Sequence, residues 1–182
     1  YANYWVNFLR RDLMQLSIVG CPDKERFRPY VKRAAIFYTN ELISKKLLEN
    51  IYLKIKFSKA LDVLGYAEVK EYNNSGKPRE FEIELNYNVS GPDILKTLAH
   101  ELVHIKQFVY GETNEALTRW KGKKVSNDID YWFEPWEIEA RGLELALFTK
   151  FAIEEKLWNV FIDVNNLDEP IEVEPIGWKE YS

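Results

Sequence analysis

Histidine and cysteine are among the scarce residues of this 182-residue chain, with two of the first and one of the second. A lone thiol, Cys21, cannot close an internal disulfide, which fits a protein of the reducing cytosol. Nowhere does an apolar run approach the roughly 20 residues needed to cross a bilayer. No charged stretch followed by a short apolar segment and a small-residue cleavage site opens the sequence, so a cytoplasmic protein with no membrane association is expected. There is no internal repeat either. What is present is a globular composition, 46% apolar and 30% charged, which excludes a disordered or fibrous chain. The length suits one domain over residues 1–182: an N-terminal helical part over 1–50, a core over about 50–158 and an acidic tail over 159–182.

The net charge of −4 hides an asymmetry, because residues 1–60 hold 12 Lys and Arg against 5 Asp and Glu, whereas the remainder holds 13 against 24. A basic face for an acidic partner is one reading. Solvated helix faces beside an acidic second half are the plainer one.

Apolar residues recur at helical spacing from Tyr4 to Ile18, and again after Pro29 as far as Leu48, with a break at Gly20-Cys21-Pro22-Asp23. Two helices are expected. Period-two alternation over Ile51–Phe57, Tyr66–Tyr72 and Glu80–Tyr87 predicts three strands, the last two a hairpin around Asn73–Pro78. Ser90-Gly91-Pro92-Asp93 offers a serine N-cap, a first-turn proline and an acid three residues after the cap, so a helix should start there and run to about Gly111. Its apolar positions cover a broad arc, which predicts deep burial. Another helix begins near Glu134-Pro135 and runs towards Trp158, and Val160–Val164 reads as a strand. The connection from Glu112 to Asp130 is long enough to be a substrate-facing flap or lid.

Both histidines fall in His100-Glu101-Leu102-Val103-His104, a complete H-E-x-x-H on the helix expected to be buried. Random placement would give this motif roughly once in 800 trials. Residues i and i+4 differ by about 40° around a helix axis, so both imidazoles leave one face and can share a metal ion. Glu101 lies about 100° from His100, off the ligand set but within reach of a water at the metal. A catalytic zinc usually takes three protein ligands and leaves one position open. With no third histidine and one thiol, the remaining ligand is most economically a carboxylate. The sequence alone leaves open which one.

The run Thr97–Gln107, a loop containing Trp120, and Pro135-Trp136-Glu137-Ile138-Glu139-Ala140 resemble the gluzincin type of zinc metallopeptidase. More narrowly, they are similar to small viral and phage-encoded metallopeptidases described as SprT-like. The resemblance covers about residues 80–150. It implies an α+β zincin-like fold with N-terminal helices, a small mixed sheet, an active-site H-E-x-x-H helix and a later helix carrying the third ligand. It assigns that ligand to Glu137, with Glu139 the alternative. Zn2+ as cofactor, a protein or peptide as substrate, and Glu101 as general base acting on water follow from the same likeness. Tyr131 is the chosen oxyanion donor, with Tyr110 and Arg141 as rivals. Two departures stand out. Arg141 occupies a position where gluzincins often place the acid that backs a histidine, leaving Glu134 or Asp130 to substitute, and the third histidine usual in SprT proteins is missing.

Other features carry less. Trp120, Trp132, Phe133 and Trp136 could wall a substrate cleft or simply pack in the core, and Arg119, Lys121, Lys123 and Lys124 could meet nucleic acid or be solvated. Cys21 reads as a buried inert thiol, and the acidic tail as a packed terminal strand or a self-inhibiting segment. Two rival functions remain: a DNA- or protein-binding module that uses the metal for folding, and a phage structural or assembly protein with a decayed peptidase site.

Overall fold

The computed structural model describes residues 14–157. Its elements are mixed α and β: strand β1 (Gln15–Val19), helix α1 (Arg28–Leu42), the single turn α2 (Lys45–Leu48), strands β2 (Tyr52–Ser58), β3 (Gly65–Tyr72) and β4 (Pro78–Asn86), helix α3 (Gly91–Tyr110), the short strands β5 (Arg119–Trp120) and β6 (Lys123–Lys124), a 3-10 turn (Tyr131–Phe133) and helix α4 (Pro135–Glu154). The expected strand at Val160–Val164 and the acidic tail lie outside the described residues, as does the first part of the expected N-terminal helix.

Where that helix was expected to end, the chain is a strand. Leu16 and Ile18 satisfy a period of two as well as a helical one, and β1 pairs parallel with β2, setting Leu16 against Leu53 and Ile18 against Ile55. The second expected helix also differs, because Ile43 turns extended and closes α1 before α2 begins.

The four-stranded sheet runs β1-β2-β4-β3, with β1, β2 and β4 parallel and β3 antiparallel at the edge. Strands β3 and β4 form the expected hairpin. The Asn73 side chain accepts from the backbone N–H groups of Ser75 and Lys77, and Gly76 supplies the positive φ of 67°. One sheet face is apolar. Leu53, Ile55, Phe81, Ile83 and Leu85 are fully buried there and join side chains of α1, α3 and α4 in one core.

The start of α3 follows the N-cap expectation: Ser90 Oγ accepts from the Asp93 N–H at 3.3 Å and donates to the Asp93 carboxylate at 2.6 Å. Gly111, at φ 67°, ends the helix in the left-handed region. The helix lies hard against edge strand β3, since a Cβ at Gly65 would come within 2.8 Å of Thr97 Cγ2. No helix among the described residues is long and apolar enough to cross a membrane.

Candidate metal centre

The middle of α3 and the first turns of α4 meet at one point. His100 and His104 present their Nε2 atoms 3.1 Å apart, and the Glu137 carboxylate closes the triangle, with Oε2 3.4 Å from His100 Nε2 and Oε1 3.2 Å from His104 Nε2. These are the one group of three potential metal ligands among the described residues. Glu137 is 6% exposed, in the first turn of α4, where the helix dipole favours a negative charge.

The outer nitrogens of the two imidazoles decide what the inner ones can do. His100 Nδ1 lies 2.7 Å from Glu144 Oε2, and a carboxylate accepts, so Nδ1 carries the proton. His104 Nδ1 faces Gln107 Oε1 at 3.0 Å. Gln107 is fully buried, and its amide nitrogen donates to the Trp136 carbonyl at 2.9 Å and to Glu139 at 3.1 Å, which leaves its oxygen to accept from His104. In their neutral forms both Nε2 atoms therefore turn lone pairs towards a carboxylate. Three acceptors facing one another with no hydrogen between them repel unless a cation sits among them. Zinc bonds of about 2.0–2.2 Å in a tetrahedron place neighbouring ligand atoms about 3.3–3.6 Å apart, close to the spacing of this triangle.

Without an ion the cluster is held by protons instead. Burial works against a charge on His100, but Glu137, Glu101 and Glu144 outweigh it and hold its pKa above the ordinary histidine value. Burial likewise opposes the Glu137 charge, yet hydrogen bonds and attraction from both histidines hold its carboxyl well below the usual range. Glu101, 5% exposed, has its pKa pushed up to about 7 by desolvation, with the two histidines pulling the other way.

Around this centre the expected residues sort themselves. Glu139, the alternative ligand, points elsewhere: it pairs with Lys106 at 3.0 Å and Lys121 at 3.1 Å and steadies Gln107. Lys106 also pairs with Glu112 at 2.7 Å, so the long connection after α3 is fastened at the β5–β6 hairpin, where Lys121 (φ 47°) and Gly122 (φ 82°) make the turn. Neither substitute for the missing acid backs a histidine. Asp130 accepts from the Trp132 N–H and Glu134 from the Trp136 indole, and Glu144 has the role instead. The sequence reading singles out neither Glu144 nor Gln107; the signal for them is spacing alone, seven residues after Glu137 on the same helix face and three after His104.

Tyr131 is 54% exposed, and its pKa is raised by partial burial and then by the charge and hydrogen bond of Glu137, which places its hydroxyl beside that carboxylate. Arg141 Nη2 reaches Glu137 Oε2 at 3.3 Å, while its guanidinium lies over the rings of Tyr131 (4.7 Å) and Trp132 (4.2 Å). Tyr110 is engaged elsewhere, its hydroxyl accepting from the Ser44 N–H. Cys21 is buried, its S–H donating to the Pro22 carbonyl and its pKa pushed up to about 11, mainly by burial. Trp136 is core at 2% exposure, whereas Trp132 and Phe133 stand out at 64% and 70%. Arg119, Lys123 and Lys124 are exposed on the hairpin.

Compared with known proteins, the chain matches no family model, no curated protein and no solved structure. The case for a function therefore rests on the residues alone.

Proposed function

We propose that this protein is a zinc-dependent metallopeptidase with a zincin-like fold, holding the ion on His100, His104 and Glu137 in the manner of a gluzincin. The observation that carries the proposal is the convergence of two Nε2 atoms and a carboxylate within 3.4 Å of one another, each imidazole backed at Nδ1 by its own acceptor. Zinc bound there supplies a Lewis acid that acidifies water and polarises a peptide carbonyl.

The chain's own residues do the rest. Glu101, one residue past His100 and with a pKa near neutrality, takes a proton from the attacking water and delivers it to the amide nitrogen as the C–N bond breaks. Glu144 and Gln107 hold both imidazoles in the Nδ1–H tautomer throughout. Tyr131, beside Glu137, donates a hydrogen bond from its hydroxyl to the oxygen that gains charge and keeps its proton, and Arg141 keeps the aromatic turn in place.

The test has two parts. Metal analysis of the protein as purified should find about one zinc per chain in wild type and none in His104→Ala. A peptide-library digest should then show cleavage by wild type that Glu101→Gln loses while keeping its zinc. A protein that binds zinc in both forms and cleaves nothing would be a metal-stabilised binding module instead.

A further inference from the structure

Among the described residues, nothing buries the 3-10 turn Tyr131–Phe133. The chain buries Trp136 at 2% exposure, yet three residues earlier it leaves Phe133 70% exposed, with Trp132 at 64% and Tyr131 at 54%. Large apolar side chains gathered on a surface mark binding sites more often than scattered ones do. This turn is also held in place. Asp130 caps it by accepting the Trp132 N–H at 2.9 Å, the Phe133 N–H bonds back to the Asp130 carbonyl at 2.8 Å, and Arg141 donates to the Trp132 carbonyl at 3.5 Å. Such anchoring removes most of the entropy cost of ordering the rings when something binds them.

Its position is bounded by one side chain. The Arg141 guanidinium carbon is 4.2 Å from the Trp132 ring centre, and its Nη2 is 3.3 Å from Glu137 Oε2. With a C–N bond of about 1.3 Å between them, the Trp132 ring lies no more than about 9 Å from the Glu137 carboxylate, which is two to three residues of extended peptide. One ring face is covered by the guanidinium, and exposed apolar surface continues through Phe133.

Resting on the hydrolase reading above, we propose that Trp132 and Phe133 select the substrate: they receive a large apolar or aromatic side chain of an extended peptide, one to three residues from the bond that is cut. Apolar peptide side chains are the occupant because no exposed cation other than Arg141 is fixed on the turn, and Arg141 is already committed to Glu137 and the rings. Arg141 is thus a positioning residue that ties the turn to the metal ligand.

The experiment compares wild type with Trp132→Ala and with Phe133→Ala, the latter leaving the Arg141 stack untouched; thermal melts first establish that each variant is folded. Two readouts are taken on zinc-loaded protein. Cleavage sites from a peptide library are scored for side-chain enrichment, and equilibrium binding is measured by fluorescence anisotropy for two labelled peptides of equal length, one with Phe and one with Ala at the same position. Wild type should bind the Phe peptide about tenfold more tightly than the Ala peptide, and either variant should reduce that ratio to threefold or less, with loss of apolar enrichment at the cut sites. Cleavage with the same preference in all three proteins would overturn the proposed selection and leave the hydrolase standing. Phe-selective binding that both variants lose, with no cleavage by any protein, would sink the hydrolase reading and keep the aromatic turn as a binding site. Equal binding of both peptides by wild type would overturn the selection whether or not cleavage occurs.

Discussion

Two regions of this molecule concentrate charged and polar side chains, and they are finished to different degrees. On the outer face of the sheet, β4 presents Glu82 and Glu84, both buried, between two flanking strands. Lys54 meets Glu82 at 2.7 Å, Lys56 meets Glu84 at 3.2 Å, and the Tyr66 hydroxyl donates to Glu84 at 2.7 Å, while Lys70 pairs with Glu68. The Lys54–Glu82, Lys56–Glu84 and Tyr66–Glu84 pairs are in register across the strands, the arrangement in which cross-strand partners stabilise a sheet. At the junction of α3 and α4, by contrast, acceptors stand behind the imidazoles, and the two Nε2 atoms converge on the Glu137 carboxylate. The sheet face needs nothing from outside. On the reading proposed above, the helix junction would take a metal cation among its three ligands.

The largest test of that difference is chemical. Glu101→Gln leaves the triangle of His100, His104 and Glu137 in place and removes the proposed general base. Peptide cleavage should fall by about 10²- to 10⁴-fold with zinc content unchanged. Next comes stability. Zinc at a thousandfold excess over its dissociation constant should stabilise the protein by about 4 kcal/mol, read as a rise in melting temperature that Glu137→Gln abolishes. Lys56→Met, which breaks a pair on the sheet face, should lower the melting temperature slightly and leave the zinc increment intact. Equal loss of the increment in both variants would erase the contrast.

A smaller effect is expected behind the ligands. Glu144→Ala frees His100 to adopt the wrong tautomer, so zinc affinity should drop by about 10- to 100-fold in a competition titration against a chelator. The pH dependence has a fixed sign. Because the neighbouring carboxylates raise the His100 pKa in the metal-free protein, protons compete with zinc more strongly than for an ordinary histidine, and affinity should climb as pH rises until His100 is deprotonated.

How far the sequence disclosed these regions follows from the range of the interactions involved. His100, Glu101 and His104 were legible because one helix turn fixes their geometry locally, and the Ser90 cap and the β3–β4 hairpin were legible for the same reason. Glu137 needed a family likeness, since nothing within α4 says which of its acids meets another helix. Glu144 escaped notice because its partner is 44 residues away in sequence. Strand β1 was misread as helix because its two inward residues, Leu16 and Ile18, fit either period. The choice was made by pairing with β2, a contact that no local window contains. The long connection after α3 looked free because its fastening, Lys121 to Glu139, is set by side chains from distant elements.

The smallest effect sharpens the comparison from the sheet side. The Tyr66 hydroxyl is the first cause holding the Glu84 carboxyl below the usual carboxylate value, helped by Ser58 and Lys56 and opposed by desolvation. A folded-state pKa below the unfolded one contributes stability that is present above the unfolded value and lost as pH falls through the folded one. Tyr66→Phe should therefore cost about 0.5–1 kcal/mol at pH 7, at the low end because Tyr66 is 38% exposed, and less at pH 3, where Glu84 is already largely protonated in the unfolded chain. Urea denaturation at the two pH values measures it. A loss of the same size at both would mean that Tyr66 contributes through packing alone, and the sheet face would then owe less to matched charge than its register suggests.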